Sequence, residues 1–204
     1  MPRPGLPKLI ASDLDGTLVR TDGTVSAYTH QTLDRVRAAG IPVVGATGRG
    51  PRLTEMTRND IRAADFLVLA GGGRVVSQVD PDGPVVLRDE RMDGSVLAVL
   101  LADLEAEVGP LTVMVEALDG QDAPLWGDQD PAWRYPDVVE RRSRKNALRG
   151  KVIKAFVRTP DLDADSLLAA ARRIVPPALA TLTQAGLDFV EITPAGVIST
   201  KSRP

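Results

Sequence analysis

The sequence predicts an α/β fold in which a doubly wound parallel sheet forms the core and a second, α+β unit is inserted into it. Over about the first 70 residues, short apolar runs alternate with helical patterns, an order typical of a parallel sheet whose strands are joined by helices. From about residue 81 the order of helices and strands changes. A length of 204 residues suits one core with a modest insertion, because a domain usually spans about 100 to 200 residues.

Each predicted core element follows from a local pattern. The apolar run at residues 9–11 is bounded by turn-forming residues and predicts a buried strand. The Asp22-Gly23 pair tolerates the backbone of a tight turn, so it predicts a hairpin within residues 18–25. Helical spacing and further apolar runs predict the rest of the core. These elements are a helix between the cap Ser26 and the stop signal Gly40, strands at 41–46 and 66–70, a helix at about 51–64, and a turn at the glycines 71–73.

The same patterns predict two helices and four strands in the inserted unit. The helices are expected at 94–108 and 164–174, and the strands at 111–117, 151–158, 178–182 and 187–192. The segment 119–149 contains both tryptophans, Trp126 and Trp133, and many charges. It is too long for a plain connection, so it predicts a functional or mobile loop.

Composition excludes several classes of function. A formal charge of -2 provides no summed positive field, so neither nucleic acid nor a membrane surface is an expected partner. The absence of cysteine excludes thiol catalysis, disulfides and thiolate metal sites, which leaves oxygen ligands for a metal. The longest apolar stretch, residues 96–102, is far below the roughly 20 residues that span a bilayer, and the first apolar run is too short for a secretory signal. We therefore expect a cytoplasmic protein.

The strongest local signal is the pair Asp13 and Asp15 directly after the first predicted strand. Carboxylates at that end of a parallel strand project into the crevice where open α/β sheets bind ligands. Asp13 could attack phosphorus and form an acyl phosphate, while Asp15 protonates the leaving oxygen and later activates water. Gly16 would let the backbone turn sharply and bring amides close to a phosphate. The competing interpretation is a solvated turn.

The six residues Asp13-Leu14-Asp15-Gly16-Thr17-Leu18 resemble the first motif of the haloacid dehalogenase (HAD) superfamily. The expected hairpin after them is similar to that superfamily's flap. The resemblance implies that Asp13 is the nucleophile and a Mg²⁺ ligand. It also implies that Asp15 is the acid/base and binds Mg²⁺ through its carbonyl.

A second motif, Ala46-Thr47-Gly48-Arg49, follows the second predicted strand and resembles that of the Cof-type branch of sugar-phosphate phosphatases. A hydroxyl and an amide at this strand end could hold a phosphoryl group in line with Asp13. Thr47 is therefore a candidate catalytic residue, and Gly48 and Arg49, with Gly16, are candidates for substrate binding. Without this context, a helix cap with a solvated arginine would explain the tetrapeptide.

The resemblance also implies a lysine that neutralises charge on the transferred phosphoryl group. The candidate is Lys201, which follows Gly196 by five residues where the family has about three; a frayed terminal lysine is the competing interpretation. The family's acidic Gly-Asp-x-x-x-Asp segment would come next, but the sequence ends at Pro204. On this basis we expect a C-terminally incomplete core, a weak Mg²⁺ site, and an uncovered edge of the first strand that could pair with another chain.

Together these patterns predict a HAD-like core of residues 1–80 and 191–204, with an inserted cap of residues 81–190. The implied function is Mg²⁺-dependent hydrolysis of a small phosphorylated metabolite, such as a sugar phosphate, through an aspartyl phosphate. Whether the short chain is active is open. A catalytically silent phosphate-binding or regulatory module is the alternative from another class, and phosphoryl transfer to an acceptor other than water is a third possibility.

Overall fold

The structure, a computed structural model, describes residues 6–134, 138–185 and 188–197. The chain divides into two compact units, Met1–Asp89 and Glu90–Pro204. No helix in the described ranges is long and apolar enough to cross a membrane.

The first unit contains one five-stranded sheet and two α-helices. The strands are β1 (Ile10–Asp13), β2 (Val43–Ala46), β3 (Phe66–Leu69), β4 (Arg74–Ser77) and β5 (Val85–Asp89), and the helices are α1 (Ala27–Ala38) and α2 (Thr54–Asp60). The sheet has the order β1-β2-β3-β4-β5, so β1 lies at one edge of the described sheet. The pairs β1/β2 and β2/β3 are parallel, and β3/β4 and β4/β5 are antiparallel. The predicted parallel α/β core is therefore present.

Local chemistry explains where the elements of the first unit begin and how they are held. α1 begins after Ser26, whose Oγ accepts a hydrogen bond from the Thr29 N–H at 3.0 Å. The buried Asp65 carboxylate accepts hydrogen bonds from the Val43 N–H at 2.9 Å and from Arg37 Nε at 3.1 Å. It thereby ties the helix α1 to the strand β2 from the position just before β3.

Between β1 and α1, the predicted hairpin strands do not form. The Gly23 N–H donates to the Arg20 carbonyl at 2.9 Å, and Gly23 has a φ of 80°, so the turn itself is present. The Val19 N–H, however, donates to the Leu14 carbonyl at 2.8 Å. The Arg20 N–H donates to the Thr24 carbonyl at 2.9 Å across the turn, so the hairpin is confined to residues 20–24.

Two further core elements differ in detail from the prediction. A short 3₁₀ turn, Pro51–Leu53, precedes α2, so the α-helix is shorter than the predicted one. The glycine segment forms a tight turn at Ala70–Gly72 that joins the antiparallel strands β3 and β4, as the sequence predicted.

The second unit contains a six-stranded sheet, a two-stranded sheet and three α-helices. Its strands are β6 (Met92–Asp93), β7 (Thr112–Glu116), β8 (Leu125–Gly127), β9 (Val139–Arg141), β10 (Lys151–Val152), β11 (Lys154–Arg158), β12 (Ala180–Gln184) and β13 (Val190–Pro194). Its helices are α3 (Gly94–Val108), α4 (Arg144–Ala147) and α5 (Ala164–Ile174). The larger sheet has the order β12-β13-β11-β7-β8-β9, and β10 pairs with β6. The bounds of α3 and α5 agree with the predicted helices.

Alternating residues of the larger sheet supply two apolar clusters. Along β7, Val113 and Val115 pack in one cluster with leucines of α3 and α5, and Met114 lies in the other. The second cluster contains Trp133, whose ring centroid lies 5.1 Å from that of Phe156. The segment predicted as a loop at 119–149 therefore contributes strands and core residues to this sheet.

The boundaries of the two units differ from the predicted domains at two places. β5 pairs with β4, so residues 81–89 belong with the first unit. β13 lies between β12 and β11, which places residues 191–194 in the sheet of the second unit. Residues 198–204, also expected in the core, lie outside the described residues.

Candidate active site

The parallel pairing of β1 and β2 brings the two sequence motifs together. Asp13 is in register with Ala46, and the Leu14 N–H donates to the Ala46 carbonyl at 3.1 Å. Asp15 and Thr47 therefore leave the same edge of the sheet side by side. This adjacency is what the sequence predicts for residues at the carboxyl ends of neighbouring parallel strands.

Leu14 anchors the segment that carries both aspartates. Its side chain is 0% exposed and belongs to the core cluster of the first unit. Gly45, in β2, leaves room for it, since a Cβ there would lie 3.2 Å from a Leu14 methyl group. Gly16 then turns the chain with a φ of 82°, and its N–H donates to the Val19 carbonyl at 2.9 Å. Gly16 thus supplies the sharp turn, and its amide is used within the turn.

The Asp15 carboxylate is held by two residues of the second motif. Thr47 Oγ1 donates to Oδ2 at 3.0 Å, and Arg49 Nη2 donates to Oδ1 at 2.6 Å. Arg49 Nε lies 3.1 Å from Oδ1 and 3.2 Å from Oδ2, which makes the guanidinium a bidentate partner. The Asp15 side chain still has 41% of its surface exposed. Its orientation is fixed while one side of the group stays accessible.

The Asp13 side chain has a different environment. Asp13 is partly buried, and Ser12 Oγ donates to its main-chain carbonyl at 3.0 Å. Within the described ranges, no residue donates a hydrogen bond to its carboxylate. This carboxylate can therefore approach an external atom without first breaking a contact made by those residues, as a nucleophile requires.

Arg49 bridges Asp15 to a second carboxylate that no sequence motif includes. Its Nη1 lies 2.6 Å from Asp60 Oδ2, at the last residue of α2. Burial alone would lower the pKa of the Arg49 guanidinium, but hydrogen bonds to Asp15 and Asp60 outweigh burial and raise the pKa. Arg49 is thus a fixed positive charge between two negative ones.

The turn after β3 braces the backbone of the second motif. The Gly71 N–H donates to the Thr47 carbonyl at 3.1 Å, and the Ala70 N–H donates to the Arg49 carbonyl at 2.8 Å. The Thr47 N–H donates to the Val68 carbonyl at 2.9 Å, so that amide is occupied. Gly48, between these residues, is exposed. The Thr47 hydroxyl and the Arg49 side chain are therefore presented from a rigid backbone.

The oxygen atoms of Asp13 and Asp15 are of the chemical type that Mg²⁺ prefers as ligands. Mg²⁺ prefers oxygen ligands and usually takes one or two carboxylates, with water and substrate phosphate completing its octahedron. The Asp13 carboxylate and the Asp15 main-chain carbonyl are oxygens of this kind. The part of the chain that the structure describes contains no cluster of three or more His, Cys, Asp or Glu side chains suited to a metal. The Asp13 carboxylate and the Asp15 carbonyl therefore fit two of the six ligand positions of Mg²⁺.

The structure brings together six of the seven site residues that the sequence predicts. Asp13, Asp15, Gly16, Thr47, Gly48 and Arg49 lie at the ends of the adjacent strands β1 and β2. The seventh, Lys201, lies outside the described residues. Sequence reasoning missed Asp60, whose only signal is an acidic residue at the end of a helix, where the backbone dipole disfavours it.

The first unit is thus an α/β protein in which paired aspartates and a threonine follow the carboxyl ends of adjacent parallel strands. The chain belongs to the haloacid dehalogenase-like hydrolases, whose family model matches residues 10–198. The predicted recognition and fold class are confirmed at this level.

Solved structures share the fold at low sequence identity. A phosphatase of the HAD superfamily from Bacteroides thetaiotaomicron has 19% identity and a TM-score of 0.73, over 98% of this chain and 71% of its own. A haloacid dehalogenase-like hydrolase from B. subtilis has 18% identity and a TM-score of 0.71, over 95% and 75%. A HAD subclass IIB sugar phosphatase has 15% identity and a TM-score of 0.68, over 95% and 72%.

Proposed function

We propose that the chain is a phosphatase that hydrolyses a small phosphorylated metabolite through an aspartyl phosphate on Asp13. One observation carries the proposal: Asp15, two residues after Asp13 at the end of β1, is held at 3.0 Å by Thr47 from the end of the parallel strand β2. Membership of the haloacid dehalogenase-like hydrolases supports this choice of chemistry. The likeness in fold to a sugar phosphatase makes a sugar phosphate the first substrate class to test.

In the first step, an oxygen of the Asp13 carboxylate attacks phosphorus and the bond from phosphorus to the leaving oxygen breaks. Asp15, in its protonated form, gives its proton to that oxygen, so the products are an alcohol and the acyl phosphate of Asp13. Thr47 positions Asp15 for this transfer. The exposed side of Asp15 faces solvent, where a leaving group can reach it.

In the second step, Asp15 works in the opposite direction. Its carboxylate removes a proton from water, which attacks phosphorus and releases inorganic phosphate, and the Asp13 carboxylate is restored. Mg²⁺ held by the Asp13 carboxylate and the Asp15 carbonyl would supply neutralisation of the phosphate charge. Lys201 is proposed to contribute a further positive charge, as the sequence resemblance implies.

We also propose that the second unit is the cap that chooses the substrate. Its six-stranded sheet carries helices against one apolar cluster and a separate aromatic cluster that contains Trp133. A cap of this size could exclude bulk water from the acyl phosphate. The physiological substrate would then be set by residues of this unit.

The test is hydrolysis of p-nitrophenyl phosphate with and without Mg²⁺ by the wild-type chain, by Asp13→Asn and by Asp34→Asn. Asp34 is an exposed aspartate on α1 and serves as the matched control for removing one negative charge. We expect Mg²⁺-dependent turnover by the wild type and the control, and none by Asp13→Asn. Full turnover by Asp13→Asn would show that the nucleophile is another group.

A catalytically silent phosphate-binding module is the second candidate. The observation that favours it is the occupation of both Asp15 carboxylate oxygens by Arg49 and Thr47, which restrains a group that has to exchange protons. This candidate predicts binding of inorganic phosphate by the folded chain without turnover of any phosphomonoester. Calorimetric titration with phosphate, next to the hydrolysis assay, separates the two functions.

A further inference from the structure

We propose that Asp60 is a positioning residue that holds the acid/base Asp15 in its working orientation through Arg49. The inference rests on the proposed function, since it adds a residue to the same site. Asp60 lies 11 residues after Arg49 in the sequence and belongs to neither motif. The three side chains form one continuous chain of ion pairs at the edge of the first unit's sheet.

The geometry makes the position of the Asp15 carboxylate depend on the Asp60 carboxylate. Arg49 places Nη2 2.6 Å from Asp15 Oδ1 and Nη1 2.6 Å from Asp60 Oδ2. A guanidinium is planar and rigid, so a partner that fixes one nitrogen restricts where the others can point. Both contacts are short, as charge-assisted hydrogen bonds are. Asp60 therefore sets the plane in which Arg49 meets Asp15.

The ion pair between Arg49 and Asp60 is more buried than the ion pair between Arg49 and Asp15. The Asp60 side chain is 20% exposed and that of Arg49 14%, whereas that of Asp15 is 41% exposed. Solvent screens the pair with Asp60 less than the pair with Asp15. The backbone of Arg49 is pinned as well, because its N–H donates to Thr47 Oγ1 at 3.0 Å. Asp15 is thus the most exposed of the three side chains, and it is oriented by an arginine that is itself held on two sides.

A purely structural role in the helix does not explain Asp60. It is the last residue of α2, where the carbonyl end of the helix dipole is negative and a carboxylate is unfavourable. The interaction that offsets this cost is the contact with Arg49. Asp60 consequently serves to hold Arg49 in the site and does not stabilise its own helix.

The two oxygens of the Asp15 carboxylate have different partners. Oδ1 accepts from both Nη2 and Nε of Arg49, at 2.6 and 3.1 Å. Oδ2 accepts the Thr47 hydroxyl at 3.0 Å and has the more distant Nε at 3.2 Å. Both oxygens are thus directed by the same guanidinium, and Oδ2 has the Thr47 hydroxyl as its second partner. Without Asp60, Arg49 can rotate, and it no longer fixes the orientation of the Asp15 carboxylate.

The experiment compares two substrates that differ mainly in their leaving groups. p-Nitrophenolate leaves with little help because its charge is delocalised, whereas phenol needs a proton from a general acid. We expect Asp60→Asn to lower kcat/KM for phenyl phosphate at least about 10-fold more than kcat/KM for p-nitrophenyl phosphate, because kcat/KM reports the step in which the leaving group departs and a misplaced catalytic group costs up to about 100-fold.

Three further variants make the outcome specific. Asp60→Glu keeps the carboxylate and should restore the ratio of the two kcat/KM values. Glu55→Gln removes one negative charge from the same helix and should leave that ratio unchanged. Arg49→Lys keeps the positive charge but cannot bridge two carboxylates in a fixed plane, so it should reproduce the selective loss even if Asp60→Asn does not fold.

An equal loss on both substrates, or no loss, would overturn the role of Asp60 while leaving the phosphatase assignment intact. Absence of turnover by the folded wild-type chain would overturn the proposed function, and the role of Asp60 with it. The two failures are distinguished by the wild-type rate.

Discussion

Truncation of the buried leucine between the two aspartates tests whether the site is held by its core. Leu14 is 0% exposed, and Leu→Ala changes at such positions cost about 2–5 kcal/mol in free energy of unfolding. The upper part of this range applies here, because Gly45, which lies against the Leu14 side chain, has no side chain that could fill the cavity. Such a loss is a large share of a typical total stability of about 5–15 kcal/mol.

The assay for Leu14→Ala is urea denaturation followed by far-ultraviolet circular dichroism, next to hydrolysis of p-nitrophenyl phosphate at a temperature where the variant is folded. Leu33→Ala is the matched control, since Leu33 is buried in the same cluster but lies on α1. We expect both variants to lose stability and only Leu14→Ala to lose activity as well. A loss below about 1 kcal/mol for Leu14→Ala, or equal activity of the two variants, would refute the anchoring role.

The remaining predictions concern stability. Asp65→Ala removes the acceptor of the buried Val43 N–H and should lower the free energy of unfolding by about 1–3 kcal/mol in urea titrations; no change would contradict the proposed tie. The backbone and side-chain hydrogen bonds of Ser166 lower the pKa of Asp163, so the stability this carboxylate adds is present above its unfolded pKa and lost as pH falls through its folded pKa. Asp163→Asn should therefore show a flatter dependence of Tm on acidic pH than the wild type, and an unchanged slope would count against this cap.

Much of the fold could be predicted because its local signals agree with its tertiary contacts. α3 and α5 have the predicted bounds, since each has an aspartate cap, Asp93 and Asp163, and a continuous apolar face. β1, β2 and β3 are short apolar runs that end in turn-forming residues, and their parallel pairing follows from the helices between them.

The predicted hairpin is present at its turn, but it is shorter than predicted for a reason that local sequence does not contain. The Arg20 N–H donates to the Thr24 carbonyl across the turn at Asp22-Gly23, but the N–H groups of Leu18 and Val19 both donate to the Leu14 carbonyl, so the hairpin does not extend further. The placement of β13 is a similar case. Its apolar pattern predicts a strand but does not say which sheet it joins, and it pairs with β11 and β12.

The site itself was predictable in its motifs and not in its ion pairs. Asp13, Asp15 and Thr47 follow apolar runs, so their meeting at one edge of a parallel sheet follows from topology. Arg49 was expected to bind substrate phosphate, whereas in the structure its guanidinium is held by Asp15 and Asp60. A contact between residues that are 11 positions apart, on a loop and a helix end, depends on the tertiary fold. A cytoplasmic location and pairing of β1 with another chain stay predictions.

The central claim is that Asp13 carries the phosphoryl group during turnover. The most direct measurement is a rapid acid quench of the wild-type chain during hydrolysis of a phosphomonoester, followed by mass spectrometry of its peptides. We expect one phosphoryl group on the peptide that contains Asp13, sensitive to hydroxylamine as an acyl phosphate is, and none on the same peptide of Asp13→Asn. A phosphoryl group found on another residue, or turnover with no phosphorylated peptide, would contradict the account.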